Sequence, residues 1–270
     1  MLVGSIARTA LRESPEFADA RLRLKSIAER TNADPKFIEK LPVYQEKVNK
    51  KTALSYFLIQ CSAPVFFYFA FMLCGQMLKN TFGYEQHQII FHNFLLTGFT
   101  LLVRDILRIY LSTKIYPLRI LQVALAVTYV IVLALPFVLN NLQSVLQLFI
   151  LQVLIFTFFP DELPASPIFL KHFPIFKRFT YTASLYALAR ASIWVIVSFG
   201  LTYLIEYLGN WGLWVVMVPV LVGYSYGINH FKKLDIATGR YAQEMAIRAE
   251  ALKEQAKPLN ASSATFMVET

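Results

Sequence analysis

Asp161, Glu162 and Arg190 are ionisable side chains set inside long apolar runs of this 270-residue chain. Bare charge at bilayer depth costs several kcal/mol, so such groups pair with one another or line a polar cavity. The two acids sit roughly 16 Å before the end of one run, and Arg190 roughly 18 Å into the next, at 1.5 Å of rise per residue. Two consecutive antiparallel helices would bring them together near mid-membrane. Pro160, Pro164 and Pro167 bracket the acids and remove backbone donors, so the helix carrying them is expected to break. Broken helices at that depth are tolerated where they line a cavity. Tyr186, Arg190 and Trp194 repeat at i, i+4, i+8 and share one helical face. That stripe has two readings. It could grip a zwitterion, guanidinium to carboxylate and rings to ammonium, or Arg190 could be a structural clasp neutralised by an acid.

The elements that position these groups follow from the composition. The chain is 56% hydrophobic, 15% aromatic and only 16% charged. Soluble domains run nearer a quarter charged. Disorder is excluded by the same figures, and two cysteines exclude a disulfide-stapled domain. Six apolar segments cover about 52–78, 88–110, 115–139, 143–172, 178–206 and 211–231, each long enough to cross roughly 30 Å of hydrocarbon. Continuous runs of this length do not fit the alternating strands of a membrane barrel. The sequence therefore predicts an all-α membrane protein with six transmembrane helices. A charged segment, 1–51, precedes the 52–232 bundle, and a tail, 233–270, follows it. In the first segment Ser14-Pro15-Glu16 reads as a helix start, and Phe17, Ala20, Leu24 and Ile27 form an amphipathic stripe.

Charge fixes the expected topology. Of the 26 lysines and arginines, 24 fall on one side: the N-terminal segment, the loop after the second span (Arg104, Arg108, Lys114, Arg119), the loop after the fourth, and the tail. That bias places both termini in the cytoplasm. The net charge of +9 therefore implies an anionic lipid face, not nucleic acid.

Several chemistries have no support. The chain lacks a phosphate-cradling G-x-x-x-x-G-K-[ST], an H-E-x-x-H and a G-x-S-x-G. No enzyme activity, cofactor or metal is expected. Cys61 and Cys74 read as buried packing thiols. His87 and His92, near the outer end of the second span, read as solvated groups or as a proton relay.

Two segments carry a resemblance. Leu11-Arg12-Glu13-Ser14-Pro15-Glu16-Phe17, within RTALRESPEFADARLRLK, resembles the central cytoplasmic loop of major facilitator transporters of the metabolite–proton symporter branch, those similar to proline/betaine transporters. Phe173-Pro174-Ile175-Phe176-Lys177-Arg178 resembles the FP-x-x-x-R signature between the tenth and eleventh helices of that family. The resemblance spans about residues 4 to 235 and implies the C-terminal six-helix bundle of the major facilitator fold. It further implies a truncated or split symporter of small zwitterions or organic acids in a bacterial inner membrane, working by alternating access with a proton. Such a half would need an N-terminal half or a second copy. Where the family carries a gating G-x-x-x-D-R-x-G-R-R motif, this chain has Ser112, Thr113 and Lys114, with Thr113 in place of the acid. The alternative reading is a non-transporting membrane remnant or scaffold whose basic face binds lipid.

Overall fold

The computed structural model describes residues 46–239 together with Asp19, Leu22, Arg23 and Ser26. Those four isolated positions are helical, and Arg23 donates to Asp19 at 2.9 Å, a helical i, i+4 pair. The expected stripe of Phe17, Ala20, Leu24 and Ile27 lies outside the described residues, as do residues 240–270.

The chain is all-helical, 87% helix with no strand among the described residues. Six rods follow one another. The first comprises α1 (Lys50–Gln60), α2 (Ser62–Phe67), a π-helical turn (Tyr68–Leu73) and α3 (Cys74–Phe82). The second is α4 (Gln86–Lys114) and the third α5 (Pro117–Asn140). The fourth is α6 (Val145–Phe158), a 3-10 turn (Leu163–Ala165) and α7 (Ser166–Lys171). The fifth joins α8 (Arg178–Val195) through a π-helical turn (Ile196–Leu201) to α9 (Thr202–Leu208). A 3-10 turn (Gly209–Trp211) leads into the sixth, α10 (Gly212–Ala237).

Local chemistry starts and stops these rods. The Asn49 side chain caps α1 by accepting from the Lys51 amide at 2.9 Å. Glu85 with Gln88, and Ser144 with Gln147, form capping boxes at the starts of α4 and α6. Pro117 opens α5 at the position where its missing N–H costs nothing. Gly83, at φ 68°, ends α3 in the left-handed conformation that glycine adopts freely.

Four stretches are long and apolar enough to cross a membrane: Lys50–Phe82, Pro117–Asn140, Val145–Lys171 and Arg178–Ala237. The last, at 60 residues, is two rods. The chain doubles back at Gly209–Trp211, so closely that a side chain on Gly212 would meet the Leu204 carbonyl oxygen at 2.6 Å. The chain is consistent with an all-α membrane protein.

The packing has an internal symmetry. The first rod packs on the fifth and the sixth, and the fourth on the second and the third. The second touches the third as the fifth touches the sixth, while the first–fourth and third–sixth pairs map onto themselves. Exchanging the first three rods for the last three thus reproduces the main contacts. Because each triplet holds three rods, an odd number, the second triplet begins at the opposite end from the first, which makes the repeat an inverted one.

The second and fifth rods are the edges of the bundle. In α4 the buried positions are Ile89, His92, Leu96 and Thr100, one narrow stripe at helical spacing. In the fifth rod they are Thr182, Ala189, Ile193, Val197 and Leu201. The third and sixth rods, each with an internal proline (Pro136 and Pro219), pack together at the back.

Candidate functional site

The fourth rod is interrupted part-way along, at the level where its counterpart in the repeat, the first rod, passes from α1 to α2. Phe159 to Glu162 leave helical geometry, as the three prolines predict. Opposite them the first rod loosens only at Cys61, whose backbone stays in right-handed helical geometry at φ −69°, ψ −20° and still donates to the Phe57 carbonyl oxygen at 3.2 Å. The two segments are stitched together. Ser62 Oγ donates to the Pro160 carbonyl oxygen at 2.5 Å, and Gln60 Nε2 donates to the Glu162 carboxylate. On the far side, Tyr224 of α10 donates to the Asp161 carbonyl oxygen at 2.6 Å. Backbone groups released by the break are thereby satisfied from neighbouring rods, as a low-dielectric interior requires.

A cavity of about 330 Å³ opens at this junction. Its walls come from the first, second, fourth and fifth rods, two symmetry-related pairs, and include Gln60, Arg104, Asp161, Glu162, Tyr186 and Arg190. The depths agree. Gln60 lies roughly 16 Å into its rod, Arg190 roughly 18 Å into the fifth and Arg104 roughly 15 Å before the end of the second, at 1.5 Å per residue.

Four residues singled out in the sequence, Asp161, Glu162, Tyr186 and Arg190, line this one cavity. Their partners differ from the expected ones. Asp161 forms its ion pair with Arg108 of α4, both side chains nearly buried, and a second Arg108 nitrogen donates to the Phe159 carbonyl oxygen at 3.3 Å. Neither acid is in ion-pair contact with Arg190 among the described residues. Arg190 instead stacks on Tyr186, 4.9 Å above the ring centroid, and its Nε is buried without a hydrogen-bond partner. The clasp of Arg190 with Asp161 or Glu162, one of the two readings of the stripe, is thus not formed, and Asp161 pairs with Arg108. The second rod runs through the junction that consecutive antiparallel helices were expected to fill.

Trp194 is also displaced from its expected role. It packs edge-on against Phe67 and Tyr68 of the first rod, both at 6.2 Å, and does not line the cavity. One turn beyond Arg190, it lies where the first rod closes against the fifth. Ser112, Thr113 and Lys114, expected in a gating loop, are the final turn of α4. Lys114 Nζ there donates to the Tyr110 hydroxyl at 2.9 Å.

Arg104 and Arg108 were assigned by position to a cytoplasmic loop, yet both lie within α4 with side chains only 16% and 14% exposed. Arg104 faces the rings of Phe156 and Phe159 at 5.4 and 5.5 Å. The signal was present: both are charges within a long apolar helix, four residues apart and so on one face. Gln60 and Ser62, being neutral, gave none.

Elsewhere, His92 is buried and bonded to Gln152 at 2.7 Å, while Gln152 Nε2 donates to the Ala70 carbonyl oxygen, inside the first π-helical turn, at 2.6 Å. His87 is exposed beside Glu85. Cys61 and Cys74 are free and buried. Comparison of the chain with protein-family models, curated proteins and solved structures finds no match in any of the three.

Proposed function

We propose that this chain is a six-span unit of a secondary transporter, belonging with the major facilitator, proline/betaine-like symporters, and moving a small carboxylate-bearing solute by alternating access. The observation that carries this reading is the position of the cavity. It lies where the broken fourth rod meets its counterpart, the first, and its walls come from counterpart rods of both triplets. Transporters place substrate at the repeat interface, near mid-membrane, beside discontinuous helices. An arginine with an open N–H is the group suited to a carboxylate at that depth.

The edge rods complete the argument. The second and fifth present broad apolar faces, including Phe94, Ile106, Phe199 and Tyr203, alongside the two cavity arginines. A companion bundle, from a complementary half or a second copy, would close the cavity against these rods. A proton moving with the solute would offset its charge.

The test is uptake of labelled proline, betaine and small carboxylates into proteoliposomes under an imposed proton gradient. Saturable, proton-dependent flux that falls with Arg190→Gln supports transport; its absence with every solute sinks it. The second reading, a non-transporting scaffold in a bacterial inner membrane, is favoured by the basic cluster of Lys47, Lys50, Lys51, Lys177, Lys232 and Lys233 toward one end of the bundle. It predicts retention on anionic vesicles with no flux.

A further inference from the structure

Two residues that line the cavity each hold a buried atom with no hydrogen-bond partner, of opposite polarity: Arg190 Nε and Asp161 Oδ1. The first can only donate, and a carboxylate oxygen can only accept. Their neighbours on the wall are satisfied. Glu162 takes the Gln60 amide, and the other oxygen of Asp161 takes Arg108. A buried polar atom without a partner is destabilising, so the wall is complete only when something supplies an acceptor to Arg190 and a donor to Asp161.

Arg104 adds a third open group. Its Nε donates to the adjacent Asp105 at 3.2 Å, and its terminal N–H groups make no hydrogen bond among the described residues. Its guanidinium lies over Phe156 and Phe159 as that of Arg190 lies over Tyr186. Stacking on rings occupies the flat face of a guanidinium and leaves the N–H edge available, and that edge matches a carboxylate two bonds at a time. These two arginines stand on the second and fifth rods, counterparts in the repeat, and line one cavity. Trp194, needed beside Tyr186 to cage a quaternary ammonium group, lies outside it.

Resting on the transport reading, we propose that the cavity binds a dicarboxylate that also carries an amino or hydroxyl group. One carboxylate lies on Arg190 and the other on Arg104, and the ligand's N–H or O–H donates to Asp161 Oδ1. A cavity of about 330 Å³ suits a four- or five-carbon acid. The two carboxylates meet Arg104 and Arg190; Arg108 is taken up by Asp161 and lies outside the cavity lining. Glu162 is the wall acid with no ion pair among the described residues, and it is placed to take up a proton and offset the added charge.

The full chain, purified in detergent, is titrated with L-malate, L-aspartate, succinate, L-proline and glycine betaine, following binding heat and melting temperature. L-malate and L-aspartate bind and raise the melting temperature. Succinate keeps both carboxylates but lacks the donor, and binds about tenfold more weakly, the scale of one charge-assisted hydrogen bond. Proline and betaine, with one carboxylate each, give no melting shift at the same concentration. Arg104→Gln and Arg190→Gln each weaken malate binding by about 10- to 100-fold, with the lysine variants intermediate, since lysine keeps the charge without the fork. The ligand panel on the unmodified chain decides the matter even if a variant fails to fold. Succinate equal to malate overturns the Asp161 contact. Proline or betaine binding as tightly as malate overturns the dicarboxylate, and so does silence from all five probes. Proton-dependent betaine flux would leave the transport reading standing while removing this one; malate binding without flux would do the reverse.

Discussion

Asp161 is paired with Arg108, a cation 53 residues earlier in the chain, and not with Arg190 on the rod that follows it. The pair ties the second rod to the broken part of the fourth, and Asp161 is in turn tied through its backbone to Tyr224 of the sixth. Both side chains are nearly out of solvent. Removing one member strands the other.

Arg108→Leu should therefore destabilise the bundle by about 3–5 kcal/mol, the range for an uncompensated buried charge. Arg108→Leu combined with Asp161→Asn should recover most of that loss, because neither charge is left alone. Arg190→Leu, which breaks no ion pair, should cost clearly less than Arg108→Leu. Melting of the purified variants in detergent ranks the three, and an Arg190→Leu loss equal to that of Arg108→Leu would return Arg190 to a clasp.

A second buried acid closes the opposite face. Asp235 of α10 accepts from the Tyr116 hydroxyl just before α5, tying the third rod to the sixth. Tyr116→Phe keeps the ring, removes the donor and should cost about 1.5–3 kcal/mol, the range for a hydrogen bond to a charged group. Adding Asp235→Asn to it should restore part of the melting temperature.

The contact between the first and sixth rods depends on a missing side chain. A Cβ on Gly227 would meet the Ser55 carbonyl oxygen and Ile59 Cγ1, each at 2.7 Å, whereas one on Gly223 would meet only the flexible end of Leu58 at 3.2 Å. Gly227→Ala should force the rods apart and cost about 1–3 kcal/mol. Gly223→Ala should melt close to the unmodified protein, and equal losses at both sites would contradict the packing described.

The proposal of six spans is tested by labelling. Both native cysteines are buried, so single cysteines placed at Glu85, Asn141, Ser112 and Lys177 report one position each. Glu85 and Asn141 should react with an impermeant maleimide from one side of the membrane only, and Ser112 and Lys177 from the other only. Any pair reacting from the wrong side removes a span.

The helical rods were legible in the sequence because a crossing segment must satisfy its own backbone and shed charge. Both demands leave long apolar runs poor in charge, of which 52–78 carries none at all. Asp161, Glu162 and Arg190 were legible for the converse reason: charge at depth stands out. What stayed hidden was who meets whom. Arg108 and Asp161 are joined by a contact between rods that are not neighbours in the chain, and no local spacing encodes that. Gln60 is one of many neutral polar side chains, and only the break in the fourth rod makes its amide matter. Trp194 misled because i, i+4, i+8 spacing assures a common helical face but not a common neighbour. Arg190 reaches back over Tyr186, while Trp194 meets the first rod.

The π-helical turn at Tyr68–Leu73 has a consequence for how the first rod is phased. Such a turn holds one residue more than an α-helix needs, so everything beyond it is rotated by about 100°, one residue's share of a 3.6-residue turn. Gln76 and Asn80 owe their direction, into a separate 450 Å³ cavity at the far end of the bundle, to that single surplus residue. Deleting one position within Tyr68–Leu73 would let the turn relax to α-helix, swing both amides off that wall and break the bond from Gln152 to Ala70. The first rod is in effect two helices with separate facings, joined by a residue that acts as a rotary offset between them.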